Sequence, residues 1–294
     1  MKPREIIKLT RAKQWIKNFF VFIPLIFSKH IFDPIYLWQI MLCYFAFCFM
    51  SSVVYIVNDI GDIASDRLHP KKKFRPLAAG TINVSTAKVI AVIFFLCAIT
   101  ISLQLGVRFI AAVSAYFLLN VFYTFYAKNV VLLDVFSIAT GFMLRVIGGA
   151  FAIKVEISSW LILTTMFLSL FLGIMKRRSE ISVVSGQAAG STRKVLENYS
   201  IEFTNQLATI SASAVIICYA LYTMAQRTVQ AFHTEALIYT TPFVVFGIFR
   251  YIFLVHKYEQ GENTADMMLT DKSMIITVLL YLLSTVAIIY FKMM

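Results

Sequence analysis

Nine apolar runs, each close to the length needed to cross a bilayer, follow one another along this chain and decide what it can fold into. They read as about Trp15 to Phe32, Pro34–Val57, Val89–Leu105, Val107–Ala127, Val130–Ile153, Ile157–Met175, Leu207–Met224, Ala236–Val255 and Met274–Tyr290. A backbone surrounded by lipid must satisfy its own polar groups, and a spanning helix needs about 20 mostly apolar residues, so each run is expected as an α-helix. Composition agrees, with 60% of residues hydrophobic and only 14% charged. An average soluble domain has about 25% charged residues, and one as apolar as this would expose large greasy patches to water. The expected fold is an all-α integral membrane bundle of about nine helices, forming one domain over residues 1–294. A basic interfacial segment covers 1–17, and the long polar connections are 66–88 and 176–206. The first run is the weakest, because Lys17, Asn18, Lys29 and His30 interrupt it.

The net charge of +12 does not point to nucleic acid, because the cations sit between apolar runs rather than along one soluble face. Twenty of the 27 Lys and Arg residues fall on alternate connections that share one side of a nine-span bundle, and five on the other. By the positive-inside rule this places the N-terminus and both long connections in the cytoplasm. Cys43, Cys48, Cys97 and Cys218 lie in apolar runs without a C-x-x-C pair, so a disulfide framework or a zinc site is not expected. The basic start precedes an apolar stretch but lacks a small-residue cleavage pattern, so no cleavable leader is expected. A homo-oligomer is compatible with the sequence, which leaves that state open.

The strongest chemistry lies where the Pro34–Val57 run ends, in Asn58-Asp59-Ile60-Gly61-Asp62-Ile63-Ala64-Ser65-Asp66. Four residues of α-helix advance about 400°, so Asn58, Asp62 and Asp66 climb one face if the helix continues, with Asp59 beside them. Carboxylates crowded at a membrane boundary repel one another and lose hydration. Mg²⁺ relieves both, since it takes oxygen ligands and is commonly held by one or two carboxylates together with substrate phosphates. The plainer alternative is a solvated helix end paired with neighbouring cations. Calcium is disfavoured because no EF-hand-like loop with a bidentate Glu follows. Downstream, Arg67 to Arg75 carries five cations, and Pro76 stiffens the stretch that holds Lys73 and Arg75. Such cations suit a diphosphate, with anionic lipid as the bland alternative.

A second cluster, Lys176-Arg177-Arg178-Ser179-Glu180, shares the expected sidedness of the acidic motif, and Lys176 and Glu180 share a helical face. Arg193, Lys194, Glu197 and Tyr199 follow as candidate lid residues. Arg145 lies inside an apolar run, eleven residues after Asp134, and its partner is expected elsewhere, as a phosphate or a structural group. Arg250 is expected to snorkel towards the interface.

With these residues in hand the chain resembles a known family. Asn58-x-x-x-Asp62-x-x-x-Asp66 with His69-Pro70 and Arg75-Pro76 resembles the first aspartate-rich motif of the UbiA superfamily of intramembrane prenyltransferases. Arg11-Ala12-Lys13-Gln14-Trp15-Ile16-Lys17-Asn18, Tyr123 to Lys128, Leu133-Asp134-Val135, Gly141 to Ala150, Ser159-Trp160-Leu161, Lys176 to Glu180 and Gly261-Glu262 narrow the resemblance. They are similar to the polyprenyl-phosphate (decaprenyl-phosphate) phosphoribosyltransferase branch. Ordinary members carry a second aspartate-rich motif, and here that place holds cations with one carboxylate. The resemblance implies a UbiA-like bundle with a cytoplasmic-side cavity. It implies Mg²⁺-dependent transfer of 5-phosphoribose from phosphoribosyl diphosphate to a polyprenyl phosphate, releasing diphosphate. Asp62 and Asp66 would be catalytic, with Asn58, Asp59, Asp62 and Asp66 around the metal. Lys73, Arg75, Lys176, Arg177 and Glu180 would bind the donor, with Gln14, Lys17 and Asn18 at the acceptor phosphate. Tyr123, Lys128 and Arg145 complete the substrate-binding set. The rival chemistry is a UbiA-type prenyl transfer to an aromatic acceptor. A transporter is disfavoured, because its charges would concentrate near the membrane midplane.

Overall fold

The computed structural model describes residues 3–69, 72–184, 194–258 and 270–291. Pro70, Lys71, Arg193, Gly261 and Glu262, which the sequence reading used, lie outside them, and so do the side chains of Lys194 and Glu197. The described residues are helical apart from turns and short connections. In chain order the α-helices are α1 (Pro3–Leu9), α2 (Ile23–Ile26), α3 (Pro34–Gly61), α4 (Ile63–Leu68), α5 (Val84–Leu105) and α6 (Val107–Phe125). They continue with α7 (Leu133–Ala152), α8 (Ser159–Val184), α9 (Ile201–Met224), α10 (Gln226–Phe232), α11 (Thr241–Tyr258) and α12 (Lys272–Phe291). Among the described residues, eight helices are long and apolar enough to cross a membrane: α3, α5 to α9, α11 with the turn before it, and α12.

Several helices begin earlier than the apolar runs suggest, because their first turns are polar and capped. Asn83 accepts from the Thr86 N–H at 2.7 Å to start α5, and Ser200 accepts from the Phe203 N–H at 3.0 Å to start α9. Asp33 caps α3 by accepting from the Ile35 N–H at 2.9 Å, with Pro34 in the first turn where its missing N–H costs nothing. The connections shrink accordingly. Of the expected stretch 66–88, its first residues finish α4 and its last open α5. Lys176–Glu180 likewise lies within α8 rather than in a loop.

The first expected span differs most. Trp15 to Phe32 is not one long α-helix. It is a 3-10 helix over Ala12–Phe22 followed by the single turn of α2. Runs of 3-10 helix beyond three or four residues are uncommon, and here packing supplies the reason. A Cβ at Gly149 of α7 would stand 2.2 Å from the Val21 carbonyl oxygen, so the two backbones touch and only glycine fits.

Two compact units divide the chain, Met1–Tyr126 with Leu144–Glu156, and Ala127–Met143 with Ile157–Met294. The first has α3 at its centre. One core gathers Val21, Phe47, Phe109, Tyr116 and Ile153, and a smaller one joins Leu9, Ile56, Leu77 and Ile82. The second is built on α8 packed along α9, with Phe171, Met175, Val215, Tyr251 and Leu254 buried together.

Gly149→Ala is expected to lower the unfolding temperature in detergent, since overpacking costs about 1–3 kcal/mol and more against rigid backbone. Gly247→Ala in α11, where an added Cβ meets nothing within 4 Å, is the control expected to be neutral or stabilising.

Candidate functional site

In the first unit the acidic motif straddles a break. α3 ends at Gly61 and Asp62 turns (φ −96°, ψ 6°) before α4 resumes. The Asp62 N–H still donates to the Asn58 carbonyl at 2.9 Å and the Asp66 N–H to the Asp62 carbonyl at 2.8 Å, so the four-residue register survives the turn. Asn58 is oriented by Thr124 of α6, whose hydroxyl donates to Asn58 Oδ1 at 2.8 Å. Asp59 and Asp66 are buried, whereas Asp62 is partly exposed.

The buried carboxylates are not bare. Arg75 donates through Nη1 to Asp66 Oδ2 at 2.6 Å and to Asp59 Oδ1 at 3.2 Å. Arg11 donates through Nη2 to the same Asp59 oxygen at 2.5 Å, its guanidinium lying 4.7 Å from the centre of the Tyr55 ring. The folded connection explains how Arg75 gets there. A 3-10 turn at Lys72–Phe74 precedes it, and the Pro76 carbonyl accepts from the N–H groups of Thr81 and Ile82. The Thr81 hydroxyl ties this turn to Glu5 of α1 at 3.0 Å, and Leu77 and Ile82 anchor it in the small core. Lys73, expected beside the substrate, is exposed and lies against Phe74.

Gln14, Lys17 and Asn18 all fall on the 3-10 helix. Asn18 is fully buried, its amide donating to Cys48 Sγ at 3.2 Å and Ser51 Oγ at 3.4 Å, and its Oδ1 accepting from Arg145 Nε at 2.7 Å. Arg145 also donates to the Tyr116 hydroxyl at 2.9 Å and stacks over that ring. The partner that sequence spacing could not locate is therefore a protein group. Asn18 and Arg145 bracket the 3-10 helix against α6 and α7. Lys17, outside the eight spanning helices, has its ammonium pushed down to about 8 from the usual 10.5 by burial, with the charges of Arg145 and Arg11 adding to the effect. Among the described residues it has no anionic partner. Gln14 is partly buried on the same helix, and Tyr123 is partly buried on α6.

The second unit holds a separate network. Arg177, nearly fully buried on α8, donates through Nε to Asp134 Oδ2 at 2.6 Å and through Nη1 to Glu180 Oε2. The Tyr199 hydroxyl donates to Asp134 Oδ1 at 2.8 Å and accepts from the Leu132 N–H at 2.8 Å. Burial raises the Tyr199 phenol well above its usual range, and the Asp134 carboxylate raises it further, so it remains a donor. Leu132 sits at φ 66°, a conformation that costs a non-glycine residue energy and persists where its surroundings impose it. The network thus fixes the turn Ala127–Asn129, which carries Lys128, beside the 3-10 turn Lys194–Asn198. Lys176 is partly exposed, 3.9 Å from Glu180. Arg178 is buried and donates to Asn205 on α9 at 2.7 Å. Arg250 does not snorkel freely. It pairs with Asp271 at 2.8 Å, which holds that carboxyl below its usual range.

Sequence reasoning gave no role to Arg11, Tyr116 or Thr124 and missed the coupling of Asp134, Arg177 and Tyr199. The cost of a charge in an apolar run is a signal that Asp134 needs a partner, which the sequence reading applied only to Arg145 and Arg250. No spacing rule could name one 43 residues away.

Among the described residues no three His, Cys, Asp or Glu groups converge on a metal position. One oxygen of Asp59 and one of Asp66 are taken by guanidinium groups, and Asp62 has no side-chain partner among the described residues. This donor set fits a hard cation that brings phosphate oxygens with it, and does not fit an all-protein cage.

Comparison with known proteins follows the same lines. Residues 19–272 match the UbiA prenyltransferase family. The chain is 31% identical to a decaprenyl-phosphate phosphoribosyltransferase of Corynebacterium glutamicum, over 97% of this chain and 86% of that protein. It is 29% identical to a decaprenyl-phosphate phosphoribosyltransferase of Mycobacterium tuberculosis, over 74% of this chain and 73% of that one. A solved UbiA homologue from Archaeoglobus fulgidus, bound to GPP and Mg²⁺, superposes with a TM-score of 0.71 at 17% identity, covering 97% of this chain and 99% of that one. At that identity the likeness is one of fold.

Arg177→Met is expected to destabilise the protein by about 3–5 kcal/mol, because it leaves Asp134 buried without its counter-charge. Asp134→Leu combined with Arg177→Met is expected to recover much of that loss, read from unfolding transitions in detergent.

Proposed function

This chain belongs to the UbiA prenyltransferase family, and within it we propose transfer of 5-phosphoribose from phosphoribosyl diphosphate to a polyprenyl phosphate, with release of diphosphate. We read residues 1–294 as one functional domain in the inner membrane of a bacterium, with its N-terminus in the cytoplasm, where a soluble phosphorylated donor is available. The observation that carries the choice of reaction is the state of the carboxylates in the second unit. Among the described residues, Asp134 and Glu180 are both engaged by Arg177, so these two carboxylates are not a free pair for the second metal that a prenyl diphosphate would call for. The relatives named for phosphoribosyl transfer to decaprenyl phosphate support the same choice.

In this reading the anomeric carbon of the donor forms a bond to an oxygen of the lipid phosphate while its bond to the diphosphate breaks, and the electron pair leaves with diphosphate. The attacking oxygen is already ionised, so no side chain has to remove a proton. What remains is positioning and charge. Asn58, Asp62 and the oxygens of Asp59 and Asp66 that the guanidinium groups do not take would hold Mg²⁺. When bound, the metal would offset charge gathering on the departing diphosphate. Arg75 bridges Asp59 and Asp66 and is placed to reach a donor phosphate beside them, with Lys73 at the exposed edge. Lys17 faces the acceptor phosphate in this scheme, because a half-buried ammonium without an anion is stabilised when one arrives, and Gln14 is a neighbouring donor. Asn18 and Arg145 act behind it by fixing the 3-10 helix. Lys128 and Lys176 are assigned to further phosphate oxygens, and Arg177 with Glu180 holds Lys176 in place. Tyr123 is assigned to the donor.

Membranes containing the protein, supplied with labelled phosphoribosyl diphosphate and polyprenyl phosphate, are expected to yield labelled lipid only with Mg²⁺. Label moving instead from a polyprenyl diphosphate to an aromatic acceptor would replace this reading with the prenyl one. Asp62→Asn is expected to lower turnover by at least about 100-fold in folded protein, the scale of removing a group that acts on transition-state charge.

Lys17 also sets a pH dependence. Bound phosphate favours the ammonium, whereas in the free protein the proton is lost as pH rises through about 8. Above that pH the KM for polyprenyl phosphate should therefore climb, by up to about tenfold per unit. Lys17→Arg, which stays charged, should flatten the climb.

A further inference from the structure

Arg11 stands outside every role assigned so far, yet it makes the shortest contact in the acidic cluster. Three features hold it there. Its backbone is left-handed (φ 49°, ψ 45°) at the start of the 3-10 helix, a strained conformation for a residue that carries a Cβ. Its guanidinium is seated over Tyr55, and it donates to the one oxygen of Asp59 that Arg75 also reaches. Asp59 is buried, so its charge needs compensation whether or not a ligand is bound.

We propose that Arg11 is a positioning residue that couples metal and diphosphate, so that the cluster takes the two together and holds neither alone tightly. This rests on the reading that the cluster binds a metal–diphosphate complex. The physical reason is a mismatch of sign at each step. A divalent cation arriving alone meets two guanidinium groups already bonded to the carboxylates it needs. A diphosphate arriving alone meets three aspartates. When both arrive, phosphate oxygens give Arg11 and Arg75 new acceptors, and the carboxylate oxygens they release become available to the cation. Attraction replaces repulsion on both counts. Arg11 differs from Arg75 in reaching only Asp59, so it can be altered without unpinning Asp66.

The test is equilibrium dialysis of the purified full-length protein in detergent against radioactive Mn²⁺, with and without inorganic diphosphate on both sides of the membrane. In the wild type, diphosphate should raise protein-bound metal affinity by at least about tenfold, which is the coupling factor itself. Arg11→Gln should bind Mn²⁺ alone about fivefold or more tightly than wild type, with a correspondingly smaller diphosphate effect. Arg11→Lys, which keeps a charge near Asp59, should follow the wild type. Metal-only affinity unchanged in a folded Arg11→Gln protein overturns the proposal while leaving the metal site intact. Absence of Mn²⁺ binding to wild type even with diphosphate overturns both. Should Arg11→Gln fail to fold, Tyr55→Leu removes the seat of the guanidinium and should shift metal-only affinity in the same direction, about twofold or more. No shift there also overturns it.

Discussion

Compensation of the Asp59 charge is the constraint on which the first unit turns. A carboxylate buried at the end of a membrane helix is tolerated only with a counter-charge, and two arginines from different parts of the chain supply it. Arg11 comes from the N-terminal segment and Arg75 from the connection after α4. That one carboxylate therefore ties three stretches of chain together at the place where the remaining aspartates emerge. The fold and the proposed chemistry are coupled here, because the groups that stabilise the cluster are also those suited to phosphate.

The second unit solves the same problem to a different end. Asp134 is fully buried and receives hydrogen bonds from both Arg177 and Tyr199. Its charge is spent on architecture, holding the turn at Lys128 beside the segment that leads into α9. This difference separates the chemistry proposed here from a prenyl transfer. In this unit the described acidic groups nearest Arg177 form a structural ion-pair network. In the proposed reaction, phosphate binding by that region would rest on the lysines beside it.

The 3-10 helix Ala12–Phe22 links stability to binding in the first unit. Asn18 and Arg145 lock it on one side, Gly149 admits its backbone on another, and Lys17 is carried on what remains. Because a 3-10 helix has about three residues per turn, side chains three apart share a face. On it Asn18 is buried beside Lys17, which has no anionic partner among the described residues.

Apolar run length by itself determined that the chain is a multi-helix membrane bundle, since lipid offers the backbone no other partner. The four-residue register of Asn58, Asp62 and Asp66 was likewise legible in the sequence, because hydrogen bonding carries it across the turn at Asp62. Tertiary structure alone decided which charges are free and which are used. Arg177 and Arg145 look like phosphate ligands in a sequence and turn out to be bonded to Asp134, Glu180, Asn18 and Tyr116. The winding of the first segment was also beyond reach, as was its close backbone approach to a glycine more than 100 residues away. Periodicity is a local property of the chain, whereas the pairing of a buried charge depends on which distant residue the fold brings within about 3 Å.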